Sequence, residues 1–181
     1  MSMPFLMLKD LPRYECLLEA SLQFPDLDPT AAEAYLNLLR TSDEVFRARE
    51  AYLAKHHLSQ GRFTVLMQLL DKAKNCATPR TPAELAELAG VRRATMTGLI
   101  DTLERDGLVK REPDPVDRRM MSVHLTARGE EVLRQVLPGH FQWMASLMAP
   151  LDEAERKTLV RLLSKIVERV QSPSVATPVE R

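Results

Sequence analysis

Two pairs of adjacent arginines, Arg92-Arg93 and Arg118-Arg119, carry the most pointed chemistry in this sequence. A guanidinium presents a planar fork of N–H donors that matches phosphate oxygens, so clustered arginines suit a polyanion. Arg92 and Arg93 stand where a helix would begin, and the free N–H groups of a helix N-terminus also favour phosphate. Thr95 and Thr97 follow, with Ala94 and Gly98 beside them. At about 100° per residue these small or hydroxylated residues lie opposite the apolar stripe Met96, Leu99, Ile100 and Leu103. Such a face can come close to base edges in a major groove. Arg118 and Arg119 end a polar stretch, Glu112-Pro113-Asp114-Pro115-Val116-Asp117, and arginines on a loop tip suit a narrow minor groove. Each feature has a plainer reading. Surface arginine pairs commonly form a solvated patch, and threonines in a first helical turn commonly bond back to the backbone. Only the surrounding elements can decide.

The spacing predicts those elements as follows. Residues 1–30 form an arm punctuated by Pro4, Pro12, Pro25 and Pro29, with a short helix over Tyr14–Phe24. A long helix is expected over Ala31–His56, where Tyr35, Leu38, Leu39, Ser42, Val45, Phe46, Arg49, Tyr52 and Leu53 recur at helical intervals. Its length, roughly 39 Å, exceeds what a small core can cover. Ser59 caps a further helix over Gly61–Lys74. Thr81-Pro82-Ala83-Glu84 is a capping box with proline at the first helical position, opening a short helix that stops at Gly90. The next helix spans Arg92–Asp106 and ends at Gly107. Two helices joined by a tight glycine-containing turn make a helix-turn-helix pattern. Leu108–Arg111 and Met121–Leu125 read as short strands flanking the arginine-bearing loop, which makes that hairpin a wing. A long helix over Thr126–Met148, kinked at Pro138-Gly139, precedes a final helix over Asp152–Val170 with the stripe Leu159, Leu162, Leu163, Ile166, Val167 and Val170.

The bulk numbers bound the function. The chain has 181 residues and 25 basic against 25 acidic side chains, so no global positive charge announces a nucleic-acid partner. Over residues 91–121 seven basic residues face six acidic ones, so placement must carry the argument. Two cysteines, Cys16 and Cys76, do not make a secreted disulfide scaffold. The apolar start, Met1–Leu8, lacks a basic region and a cleavage site, and no apolar run approaches the ~18 residues of a membrane span. The chain is therefore expected to be cytoplasmic, with no membrane partner. Phosphate-binding glycine loops, nucleophile elbows and H-E-x-x-H are absent from the sequence, so no enzyme, metal site or cofactor is expected.

Over residues 30–170 the sequence resembles the MarR family of bacterial regulators. The resemblance is most specific at 81–129. It is carried by Thr81-Pro82-Ala83-Glu84-Leu85-Ala86, Ala94-Thr95-Met96-Thr97 and Leu103-Glu104-Arg105-Asp106-Gly107-Leu108-Val109. Asp114-Pro115-Val116-Asp117-Arg118-Arg119 and Val123-His124-Leu125-Thr126-Ala127-Arg128-Gly129 complete it. It implies a mainly α fold with a small β-hairpin wing, a winged helix-turn-helix carrying a helical dimerisation domain. The expected division is an arm at 1–30, dimerisation helices at 31–57 and 127–171, a DNA-binding domain at 58–126 and a tail at 172–181. The implied function is a homodimeric, sequence-specific repressor of double-stranded DNA with a near-palindromic operator. Arg92, Arg93, Thr95, Thr97, Arg118 and Arg119 would make the contacts, with Asp114 or Asp117 bracing one wing arginine. Gly98 departs from the bulkier, often basic residue common there in the family, which removes one candidate base contact.

Family members commonly leave DNA when a small, often aromatic and anionic molecule binds between the dimer helices and the DNA-binding lobe. Tyr52, His56, His57, Arg62, Phe63, His140 and Trp143 are the candidates here, because a cation flanked by rings suits a carboxylate on a ring. The plainer readings are core packing for Phe63 and Trp143 and a helix cap for the histidine pair. Two alternatives stand beside this one. Cys16 next to Tyr14 raises redox sensing, although Glu15 would raise rather than lower a thiol pKa. A winged helix can also serve only to dock proteins.

Overall fold

The structure is a computed structural model that describes residues 10–71, 76–77, 79–113 and 120–172. The longest apolar repeat in the sequence becomes the longest helix. After α1 (Tyr14–Gln23), α2 runs over Pro29–Ala54. Asp28 caps it, its carboxylate accepting from the N–H of Thr30 at 2.9 Å and of Ala31 at 3.1 Å, with Pro29 in the first turn. Those bonds, led by the one from the Thr30 hydroxyl, hold the Asp28 carboxyl below its ordinary pKa.

Helix α2 ends at a residue that sequence periodicity does not mark. His57 adopts a left-handed backbone, φ 57°, and Leu58 N–H returns to Leu53 O at 3.1 Å, so a histidine closes the helix where glycine is usual. Ser59 then caps α3 (Gln60–Leu69) by accepting from Arg62 N–H.

Here one expectation needs correction. The predicted helix to Lys74 stops at Leu69, and β1 (Leu70–Asp71) pairs antiparallel with β2 (Cys76–Ala77). Pairing with the strand that follows a few residues later overrides the local helix preference. The chain next forms α4 (Pro82–Ala89), α5 (Arg93–Arg105), β3 (Val109–Pro113) and β4 (Met121–Leu125). The register of the β3–β4 hairpin runs from Val109↔Leu125 to Pro113↔Met121. Arg80 adds a single bridge to β4 by exchanging both backbone hydrogen bonds with Val123, at 3.2 and 2.8 Å.

Two compact units divide the chain, Met1–Leu133 and Arg134–Arg181. The core of the first gathers Leu53, Phe63, Val65, Leu66, Leu69, Leu85, Met96, Ile100, Leu103, Val109 and Val123, each essentially sealed from solvent. Burying each such side chain contributes about 1.5–3 kcal/mol. Helix α6 (Ala127–Met148) contains Pro138 without ending there, and α7 (Glu153–Gln171) opens on an Asp152–Glu155 capping box. Helix α7 buries none of its side chains in the single chain, and Leu162, Leu163, Ile166, Val167 and Val170 stay exposed. Most of α2 is equally open, with Leu53 its only buried residue and Tyr35, Leu39 and Phe46 exposed. No helix among the described residues is long and apolar enough to cross a membrane.

Candidate nucleic-acid interface

The helix-turn-helix is assembled by two terminators and one cap. Thr81 Oγ1 accepts from Glu84 N–H at 3.3 Å, while the Glu84 carboxylate accepts from Thr81 N–H at 2.7 Å and from its hydroxyl at 2.8 Å. Gly90 takes φ 63° and Val91 N–H reaches Ala86 O at 3.0 Å, which ends α4 and turns the chain within three residues. Arg92 follows in an extended conformation as the N-cap of α5, and no side chain caps that end. The first N–H groups of α5 therefore face solvent with their partial positive charge.

Met96, Ile100 and Leu103 lock the inner face of α5 into the core. On the outer face Arg92, Arg93, Ala94, Thr95, Thr97 and Gly98 are all exposed. A Cβ at Gly98 would meet nothing within 4 Å, so the surface there is open. Thr97 bonds back to Arg93 O at 3.0 Å, which commits its hydroxyl proton to the helix and leaves its lone pairs and methyl outward. Among the described residues Arg92 and Arg93 make no ion pair, whereas Lys110 and Arg111 are both engaged with carboxylates. Near-neutral total charge therefore conceals two uncommitted guanidiniums at the start of α5.

The hairpin is fixed to α5 by a cluster that sequence reading missed. Arg111 on β3 donates its backbone N–H to Glu104 at 3.0 Å, and its guanidinium reaches both Glu104 and Asp101. Burial acts against the charged form, but hydrogen bonds and charge from Asp101 and Glu104 outweigh it and raise the Arg111 pKa. Further along β3, Lys110 Nζ sits 2.6 Å from Glu112, and that bond first of all holds the Glu112 carboxyl below its ordinary pKa. At the base of the hairpin Thr126 Oγ1 donates to Gly107 O at 2.7 Å. Arg80 Nε donates to Gln68 O at 2.9 Å, tying the end of α3 to the bridge between Arg80 and β4. Apart from Lys110–Glu112, these pairings are seven or more residues apart in sequence and follow no strand period. Residues 114–119, which carry Asp114, Asp117, Arg118 and Arg119, lie outside the described residues.

The residues expected to bind an effector come from both units. Tyr52 and His56 are half-buried, with ring centroids 5.2 Å apart. Arg62 is held by His57 O at 3.1 Å and by an ion pair with Asp106, so it braces α3 against the end of α5. Phe63 is a core residue, 1% exposed. In the second unit His140 is buried, and its ring stacks on Trp143 at 5.9 Å. Cys16 is exposed on α1. Among the described residues no group of three His, Cys, Asp or Glu side chains could hold a metal ion.

Comparison with known proteins places this arrangement. The model of the MarR family matches residues 58–121, the span from the end of α2 to the start of β4. The HTH-type transcriptional repressor YetL of Bacillus subtilis is 36% identical over 163 residues, covering 90% of this chain and 96% of YetL. A mutant MarR from Escherichia coli, solved in complex with operator DNA, superimposes with a TM-score of 0.61 at 28% identity, over 69% of this chain and 86% of the other. BpsR of Bordetella bronchiseptica, whose structure concerns regulation of DNA binding by 6-hydroxynicotinic acid, gives 0.61 at 27% identity over 72% and 91%.

Proposed function

The chain belongs to the MarR family, and on that premise we propose that it is a homodimeric transcriptional repressor. It binds a near-palindromic operator and releases it on binding a small aromatic acid. The observation that carries the DNA reading is the outer face of α5. Two exposed, uncommitted arginines flank an uncapped helix N-terminus, beside a surface of small and hydroxylated residues. Arg92 and Arg93 hold phosphates, Thr95 and Thr97 face base edges, and Arg118 and Arg119 enter the minor groove from the hairpin. The operator complex of the E. coli relative supports the same use of the fold. The exposed apolar faces of α2 and α7 support a second copy of the chain as the partner, with residues 31–57 and 127–171 forming the dimerisation region and 58–126 the DNA-binding domain. The effector reading draws on BpsR and on the ring-bearing groups around Tyr52, and such a regulator works in the cytoplasm.

The test is binding of the full-length protein to its own upstream DNA across a salt series, with a selection from random sequences run beside it. Specific binding should weaken steeply with salt, by about 0.9 in log–log slope per phosphate neutralised. Arg92→Ala with Arg93→Ala should flatten that slope, and Arg118→Ala with Arg119→Ala should abolish preference for A·T-rich flanks. Binding that ignores salt, or no selected sequence at all, would favour a protein-docking module.

A further inference from the structure

We propose that Lys110 is a further phosphate contact of the hairpin, and that His124 sets its availability with pH by competing for Glu112. This deepens the operator-binding reading above and rests on it. The hairpin register places Lys110 directly opposite His124, and Glu112, two residues along β3, shares their face of the sheet. The Glu112 carboxylate is divided between them. Oε1 lies 2.6 Å from Lys110 Nζ, and Oε2 lies 3.8 Å from His124 Nε2.

The three side chains differ in their access to water. Lys110 and Glu112 are half-exposed, whereas the His124 side chain is mostly covered. His124 Nε2 itself is closed to solvent and has no hydrogen-bond partner. A carboxylate only accepts, so Glu112 satisfies that nitrogen when it bears a proton, and most strongly when the ring is an imidazolium. The other charged groups on the elements packed against β4 are engaged elsewhere or open to water. Arg111 on β3 pairs with Asp101 and Glu104, Arg62 on α3 pairs with Asp106, and Arg80 bonds the Gln68 carbonyl. On α4, Glu84 closes the Thr81 cap and Glu87 is exposed. Among the described residues, Glu112 is the one carboxylate in ion-pair range of His124.

Two states of the hairpin follow. With a neutral ring, Glu112 keeps Lys110 in a pair of no net charge. When the ring takes a proton, two cations face one carboxylate across the strands, and like charges directly opposite repel. A covered imidazolium loses more from standing unpaired than a half-exposed ammonium that water can solvate. Glu112 therefore turns to His124, and Lys110 is released with its charge free for a phosphate. The bond from Lys110 first, and the charges of Lys110 and His124 after it, hold the Glu112 carboxyl below its ordinary pKa against slight desolvation, so it stays ionised in both states. Proton uptake thus adds one positive charge per protomer to the strand that leads into the loop of Arg118 and Arg119, and binding strengthens as pH falls.

The experiment measures binding of the full-length protein to its selected operator across a salt series at about pH 5.5 and about pH 8, the span over which histidine changes charge. It compares the wild type with Lys110→Gln, His124→Gln and Glu112→Gln. The wild type should bind several-fold more tightly at the lower pH, with a salt slope steeper by up to about 0.9 per protomer. Lys110→Gln and His124→Gln should each lose that change of slope. Glu112→Gln frees Lys110 at both pH values, so it should show the steep slope already at the higher pH. That variant alters a half-exposed side chain and carries the test should His124→Gln fail to fold. His56, His57 and His140 are present throughout, so any step they cause survives in every variant. A wild-type slope that ignores pH overturns the proposal. So does a change of slope that persists in Lys110→Gln or His124→Gln, or a shallow slope in Glu112→Gln at the higher pH. A wild type that binds no DNA at either pH sinks the regulator reading and this proposal with it, which keeps the two failures apart.

Discussion

Arg111 and Glu104 join the hairpin to α5 through both backbone and side chain. The Glu104 carboxylate accepts the Arg111 backbone N–H at 3.0 Å and pairs with its guanidinium. A side-chain pair alone would let the strand slide, whereas adding the backbone bond fixes β3 in register against α5. The placement of β3 against α5 is thereby set by one carboxylate.

Glu104→Ala should therefore weaken operator binding without touching DNA. The pair is partly exposed, so its loss should cost only about 1 kcal/mol of stability. Affinity should drop at every salt concentration with the salt slope unchanged, because no phosphate contact is removed. A flattened slope would show that Glu104 acts on the charge of the interface rather than on its geometry.

Gly98 gives a test of close approach to the groove. Open space surrounds its position, and glycine inside a helix is unfavourable relative to alanine by about 0.5–1 kcal/mol. Gly98→Ala should raise the melting temperature while lowering operator affinity. Unchanged affinity would mean that this part of α5 stands away from the bases.

Gly129 tolerates no side chain. A Cβ there would lie 2.1 Å from Leu108 O and 3.1 Å from its carbonyl carbon, both backbone atoms. The same carbonyl accepts Thr126 N–H at 3.1 Å, so it cannot retreat without breaking the base of the hairpin. Gly129→Ala should destabilise by about 3 kcal/mol in urea denaturation. A near-neutral result would contradict the close packing of α6 on the strand entry.

His57 tests whether a candidate effector residue is a turn former. Its φ of 57° is unfavourable for a residue with a Cβ. His57→Gly should stabilise the protein by a few tenths to about 1 kcal/mol, after the added chain entropy of glycine is deducted. Release of DNA by an aromatic acid should persist in the variant. Loss of release would assign the imidazole a direct part in binding.

Local chemistry made much of this protein legible from its residues alone. The Thr81–Glu84 capping box, the stops at Gly90 and Gly107, the stripe on α5 and the length of α2 all follow from interactions within a few residues. Such interactions act before any tertiary contact exists, so the sequence states them directly. The outward placement of Arg92 and Arg93 followed from the same periodicity, because burying Met96, Ile100 and Leu103 fixes the opposite face. Tertiary structure alone decided the rest. Leu70–Asp71 leave the helix to pair with Cys76–Ala77, Arg80 joins the wing sheet, Glu104 takes Arg111, and Arg62 pairs with Asp106. Each of these depends on which partner arrives across the core, and a polar side chain with several possible partners carries no period that names one. His124 shows the difference most clearly. In sequence it is one more residue on a short strand, and only the pairing of β4 with β3 brings its ring to the carboxylate that Lys110 already holds.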